Sequence, residues 1–290
     1  MLVGIVDVGS NTVRLVVADG DRQLLSRKAM LHLGADVERY GHITPGKLAE
    51  VSQVVGGFAT EARQAGVERL EVLVTSPGRQ AENGAELVNV LADASSASVA
   101  VLSAIEEGRL AFVGAISCAA PPSARAVAVV DVGGGSAQIV AGTRRDGPTW
   151  IRSIDLGSQR LTSRLLDSDP PGRAAVELAR TEAACYLEGL DAPPVRSTFA
   201  VGGSARALKR IVGGRLDAAH LEHVLELLSE TPAEVVSVRY GIGAERAATL
   251  TAGCVILAGI QRQLGTPIKV VRGGLREGAL AELAATRAAA

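Results

Sequence analysis

The sequence predicts an α/β protein made of two related halves, each with a mixed sheet that carries a β-hairpin. Three observations lead there. Residues 7–18, Asp-Val-Gly-Ser-Asn-Thr-Val-Arg-Leu-Val-Val-Ala, align without a gap on residues 131–142, Asp-Val-Gly-Gly-Gly-Ser-Ala-Gln-Ile-Val-Ala-Gly, an offset of 124 that sets Asp7 on Asp131. Strand-like apolar runs alternate with helical patterns in both halves. A chain of 290 residues is long for one core and suits two domains.

In each repeat a small-residue turn separates two apolar runs, Val3–Val6 and Leu15–Val17 in the first, Val127–Val130 and Ile139–Val140 in the second. That pattern reads as a hairpin. A strand follows through Leu24-Leu25, then a loop around Leu33-Gly34. Thr44-Pro45 opens a helix, with Thr44 able to cap and Pro45 at the first helical position. Leu48, Val51, Val55, Phe58 and Ala62 share its apolar face, and it stops near Gly66. Residues 70–74 form a strand, 75–83 a polar loop, the stretch through Leu87 and Leu91 a short helix, and 99–102 another strand. Glu106-Glu107-Gly108-Arg109 then leads a helix containing Leu110 and Val113. The proline pair within residues 119–123 marks a boundary. Beyond the second hairpin come the stretch 151–156, a helix from about Ser158, a break at residues 169–172 and a long helix to about Leu190. The strand 198–201 runs into Gly202-Gly203-Ser204 and a helix. Thr231-Pro232-Ala233-Glu234 reads as a capping box, residues 244–264 as helix, 268–271 as strand and 276–289 as a last helix.

Composition narrows the function classes. Aromatics make up 2%, so the cores consist of Val, Leu, Ile and Ala. The formal net charge of −1 gives no global attraction to nucleic acid or membrane. No stretch reaches the roughly 18 apolar residues of a membrane helix, and the N-terminus lacks the features of a signal peptide. Cys118, Cys185 and Cys254 are scattered and odd in number; they read as small buried residues in a reducing, cytoplasmic setting.

The chemistry concentrates in the repeats. Gly9, Ser10, Asn11 and Thr12 in one turn, and Gly133, Gly134, Gly135 and Ser136 in the other, supply backbone N–H groups and hydroxyls for an anion. A carboxylate beside such a cradle, Asp7 or Asp131, would repel bare phosphate and makes sense as the holder of a divalent cation or its water shell. The alternative is a duplicated fold whose turns need glycine for shape alone. Gly202-Gly203-Ser204 at a helix start is a further anion site or simply a tight turn. Glu106 and Glu107 are solvated dipole partners, or one of them is a general base. Arg79 is a phosphate clamp or an exposed loop arginine. His220 and His223 read as surface residues.

Taken in order, Asp7-Val-Gly-Ser-Asn-Thr, Thr75-Ser76 through Arg79 and Asn83, Glu106-Glu107-Gly-Arg109, Asp131-Val-Gly-Gly-Gly-Ser136, Gly202-Gly203-Ser204 and Gly274-Leu-Arg-Glu-Gly278 resemble the Ppx/GppA exopolyphosphatase and guanosine-pentaphosphate phosphohydrolase family, in its short two-domain form. The resemblance implies two actin-like (ribonuclease H-like) domains around an interdomain cleft, residues 1–120 and 121–275, with the last helix, 276–290, packing back on the first. It implies hydrolysis of the terminal phosphate of inorganic polyphosphate, or of guanosine pentaphosphate, with Mg²⁺ or another divalent cation. By position, Glu107 matches the glutamate that activates water and Asp131 the metal-holding acid, with Asp7 as a further metal candidate. Ser10, Asn11, Thr12 and Arg14 match the first phosphate loop, Gly133 to Ser136 the second, and Arg79 a phosphate-binding arginine. The family's acid seven residues after the second aspartate is replaced by Gln138, and Pro77-Gly78 stand in the loop before Arg79. A polyphosphate or alarmone sensor without hydrolysis is the rival reading, and an ATP-dependent kinase a third. A homodimer stays open.

Overall fold

Both sheets have five strands in the same order: a three-stranded antiparallel hairpin meander whose first strand is followed, on its other edge, by two further parallel strands. The computed structural model describes residues 2–20 and 22–288, with side chains to residue 284. The chain divides into two units, one running to Leu110 and resuming at Leu275, the other Ala111–Gly274.

The first unit opens with β1 (Leu2–Val8), β2 (Thr12–Asp19) and β3 (Arg22–Met30), an antiparallel meander. Helices α1 (Leu33–Tyr40) and α2 (Pro45–Gln64) lead to β4 (Arg69–Val74), which lies parallel to β1. Short α3 (Ser76–Gln80) and α4 (Gly84–Ser95) precede β5 (Ser98–Val101), parallel to β4, and α5 (Ala104–Ala119). The expected apolar face of α2 is buried: Leu48, Val51, Val55, Phe58 and Ala62 join β1, β2 and β4 in one core. Thr44 does not cap α2 through its side chain; its hydroxyl donates instead to Asp36 Oδ2 at 2.6 Å. The loop expected at Leu33-Gly34 is the start of α1, and part of the polar loop after β4 is α3.

The division between units falls inside α5, not at the proline pair, which only follows the end of that helix. Leu110 packs in a first-unit cluster, whereas Phe112, Ala115 and Ile116 pack on the second sheet.

The second unit repeats the plan with β6 (Val127–Val132), β7 (Ala137–Thr143) and β8 (Gly147–Ile154), then α6 (Ser158–Leu165), α7 (Gly172–Leu187), β9 (Ser197–Val201) and α8 (Gly202–Val212). Helices α9 (Ala218–Glu230), α10 (Ala233–Tyr240), α11 (Ala244–Ala248) and α12 (Leu250–Leu264) follow, and β10 (Ile268–Val270) closes the sheet beside β9. The helix expected over 244–264 breaks at Thr249. Residues 250–261 of α12 are all buried, the signature of a central helix packed on every side. The Thr231–Glu234 capping box does not form; Asp169 Oδ1 accepts the Ala233 N–H at 2.8 Å instead. Finally α13 (Leu275–Ala288) returns to the first unit, where Leu275, Ala279 and Leu283 cover Val3, Ile5, Leu73 and Leu102. Among the described residues no helix is long and apolar enough to cross a membrane.

Candidate active site

The two hairpin turns carry the same internal hydrogen bond, Gly9 N–H to Thr12 O and Gly133 N–H to Ser136 O, both 3.0 Å. In register, Asp7 faces Arg14 and Asp131 faces Gln138. The repeat read from the sequence is therefore a repeat of backbone geometry.

What each turn does with its carbonyls gives it chemistry. The Ser10 carbonyl accepts the Gly34 N–H at 2.8 Å, and the Asn11 carbonyl accepts from Leu31 and His32, so all three bonds run to the approach and first turn of α1. In the second unit the Gly133 carbonyl accepts the Ser158 N–H at 2.8 Å, and the Gly134 carbonyl accepts from Gln159 and Arg160 at the start of α6. A trans peptide sets N–H opposite its own C=O. The Asn11, Gly134 and Gly135 N–H groups consequently face away from those helices, where an anion can meet them. Gly157 permits this closeness in the second unit, since a Cβ there would collide with the Gly134 carbonyl.

The first turn is braced by a buried bond between Ser10 Oγ and Ser76 Oγ, 2.7 Å, and by Thr75 N–H on the Val8 carbonyl, 3.0 Å. Thr12 and Arg14 follow on β2, both half-buried. Asn11 is 6% exposed, and its Oδ1 is buried without a hydrogen-bond partner, an oxygen suited to a donor or to a hard cation.

The adjacent glutamates divide their roles. Ser103 N–H donates to Glu106 Oε2 at 2.8 Å and Glu106 N–H to Ser103 Oγ at 3.1 Å, a reciprocal cap on α5. The hydroxyl and backbone of Ser103 hold the Glu106 carboxyl below the usual carboxylate range. Glu107, with a side chain 12% exposed, instead accepts from Arg79 Nη2 at 2.8 Å. Arg79 Nη1 also donates to the Leu102 carbonyl at 2.7 Å. Arg79 is thus neither an exposed loop residue nor an uncommitted clamp; α3 aims it at Glu107. Asp7 likewise accepts from Arg276 Nη1 at 2.8 Å, from the first turn of α13.

In the second unit, Gly202 has φ +88° and no Cβ, which lets Asp131 lie against it; a Cβ there would sit 2.6 Å from Asp131 Oδ1. The start of α8 carries a cation that the sequence did not flag. The Arg246 guanidinium lies over Gly203, and its Nη1 donates to Ser204 Oγ at 3.1 Å. Burial, with Arg206 nearby, pushes this guanidinium's pKa down, while Asp131 and Glu245 work against that. A cation at a helix N-terminus opposes the helix dipole unless an anion joins them. Gln138 is 1% exposed and donates Nε2 to Ser136 Oγ at 3.0 Å and Ser153 Oγ at 3.4 Å. It holds a cradle hydroxyl in place.

Among the described residues no three His, Cys, Asp or Glu side chains gather as a metal cluster. Asp131 and the neighbouring hydroxyls are hard oxygen donors, which fit a divalent cation completed by substrate and water oxygens. Asp7 has its charge already met by Arg276. The cysteines depart from expectation, because Cys118 and Cys185 are exposed and Cys254 alone is buried. His220 and His223 are exposed, as expected.

A family model described as the Ppx/GppA phosphatase family matches residues 15–287. Exopolyphosphatase 1 of Mycobacterium leprae is 29% identical over 96% of this chain and 88% of its own. The crystal structure of the Aquifex aeolicus member of the Ppx/GppA family is 25% identical and superposes with a TM-score of 0.84 over 99% of this chain and 98% of that one. An exopolyphosphatase structure from Cytophaga hutchinsonii, 20% identical, shares the fold with a TM-score of 0.87 over 97% of this chain and 96% of that one.

Proposed function

The chain belongs to the Ppx/GppA phosphatase family, and we propose that it hydrolyses the terminal phosphate of inorganic polyphosphate. The observation that carries this reading is the paired cradle: two turns, 124 residues apart in register, each with its carbonyls held by the next helix and N–H groups left for an anion.

Water attacks the terminal phosphorus in line, and the bond to the bridging oxygen breaks. Glu107 orients that water and accepts its proton. Arg79 fixes the Glu107 carboxylate and does not act as the main phosphate clamp. In the first unit phosphate oxygens take the Asn11 N–H with Ser10 and Thr12; in the second they take the N–H groups of Gly134 and Gly135 with Ser136, the Gly203-Ser204 helix start and the guanidinium of Arg246. Phosphoryl transfer asks mainly for such positioning and electrostatic stabilisation. Mg²⁺ or another divalent cation, held by Asp131 with substrate oxygens, would offset the phosphate charge.

The test is phosphate release from long polyphosphate, short polyphosphate and guanosine pentaphosphate with Mg²⁺. Release from polyphosphate, with Glu107→Gln lowering kcat by about 10²-fold or more, supports the reading. Release from guanosine pentaphosphate alone would transfer the activity to the alarmone. One observation favours a second reading, a sensor that binds polyphosphate without cleaving it. The position facing Asp131 holds neutral Gln138, already engaged with Ser136 and Ser153, where a second carboxylate would strengthen cation binding. Tight binding without phosphate release, with activity gained by Gln138→Glu, would select that reading.

A further inference from the structure

The second unit holds a cavity of about 310 Å³ that no step above uses. It lies between the far end of α6, the segment 166–171, the end of α9 and the starts of α10 and α12. Its size is at the lower end for small-molecule pockets.

The lining is graded. Leu166, Leu228 and Val236 are buried and give it apolar walls. Asp167, Ser168 and Asp169 line it as exposed residues. Thr251, in the first turn of α12, also lines it and is 7% exposed. Its hydroxyl puts a polar group on a wall otherwise made by Leu166, Leu228 and Val236.

Charge decides what fits. Among the described residues no Lys, Arg or His lines the cavity, so an anion would meet two carboxylates and no opposite charge. Asp169 Oδ1 already accepts the Ala233 N–H, which leaves Asp167 as the main electrostatic partner. We propose that this cavity binds a small aliphatic amino alcohol. Its ammonium pairs with Asp167, its carbon chain lies on Leu166, Leu228 and Val236, and its hydroxyl bonds Thr251. The ligand is cationic and so differs in kind from the phosphates that the cradles would take.

Titration of the full chain, without polyphosphate, followed by the backbone amide resonances of Ala247, Ala248 and Thr251, tests this. The probes are aminobutanol, butanediol and hydroxybutyrate, one hydroxyalkyl chain with a positive, neutral or negative far end. Aminobutanol is expected to shift these amides saturably and to bind about threefold tighter than butanediol, the scale of one exposed charge pair. Asp167→Asn, an exposed change that leaves the core intact, should erase that advantage. Thr251→Val should weaken both uncharged and cationic probes alike. Equal binding of aminobutanol and butanediol to the wild type, preference for hydroxybutyrate, or no shift at these amides with any probe would each overturn the proposal.

Discussion

At the scale of single residues, partners separate neighbours that look alike in sequence. Glu106 and Glu107 are adjacent, yet one closes a helix cap and the other meets a guanidinium. With Glu107 as the proposed base, Arg79→Ala should lower kcat with little change in KM, because it loosens the Glu107 carboxylate; a KM rise with kcat intact would return Arg79 to the phosphate. The cysteines supply a second test. Burial pushes the Cys254 thiol up, and only the thiolate attacks alkylating reagents. Iodoacetamide should label the exposed Cys118 and Cys185 in the native protein and reach Cys254 only after denaturation, as counted by intact-mass spectrometry.

At the scale of elements, the cap on α5 is the clearest target. Replacing Ser103 with Ala should cost about 1 kcal/mol in urea unfolding, the usual value of an N-cap. The Glu106 carboxyl lies below its unfolded value, so its contribution is present above the ordinary carboxylate range and is lost as pH falls through the depressed value. The stability gap between wild type and Glu106→Gln should accordingly narrow from about pH 7 to about pH 3. Elements with a strong local signal were legible in the sequence: the strands, the amphipathic face of α2, and both hairpins with their glycines. Where tertiary contacts decide, the sequence was silent. Helix α1 starts at Leu33-Gly34 from a left-handed His32 with no side-chain cap, and the Ser10 carbonyl takes its Gly34 N–H. The supposed capping box at Thr231 lost to Asp169, which accepts the N–H of Ala233, 64 positions away. In the candidate site, the turns were visible because glycine and hydroxyls cluster locally. Arg246 and the Asp7–Arg276 pair were not, since the latter joins residues 269 apart in the chain.

At the scale of the whole molecule, duplication explains why one strand order serves twice and why each half has its own cradle. The two halves differ in how they are completed. The second is one continuous segment, while the first needs α13 from the far end of the chain. Leu283→Ala, which thins the contact of α13 with Val3 and Ile5, should cost about 2–5 kcal/mol and lower Tm accordingly. This discontinuity also sets an order of events during synthesis. A ribosome delivers every residue of the continuous half before the closing helix of the other has left the exit tunnel. Val3, Ile5, Leu73 and Leu102 thus wait uncovered on the nascent chain until α13 has emerged. A stop codon placed just after Gly274 would release a polypeptide whose continuous half is whole and whose other half is left open to chaperones and proteases.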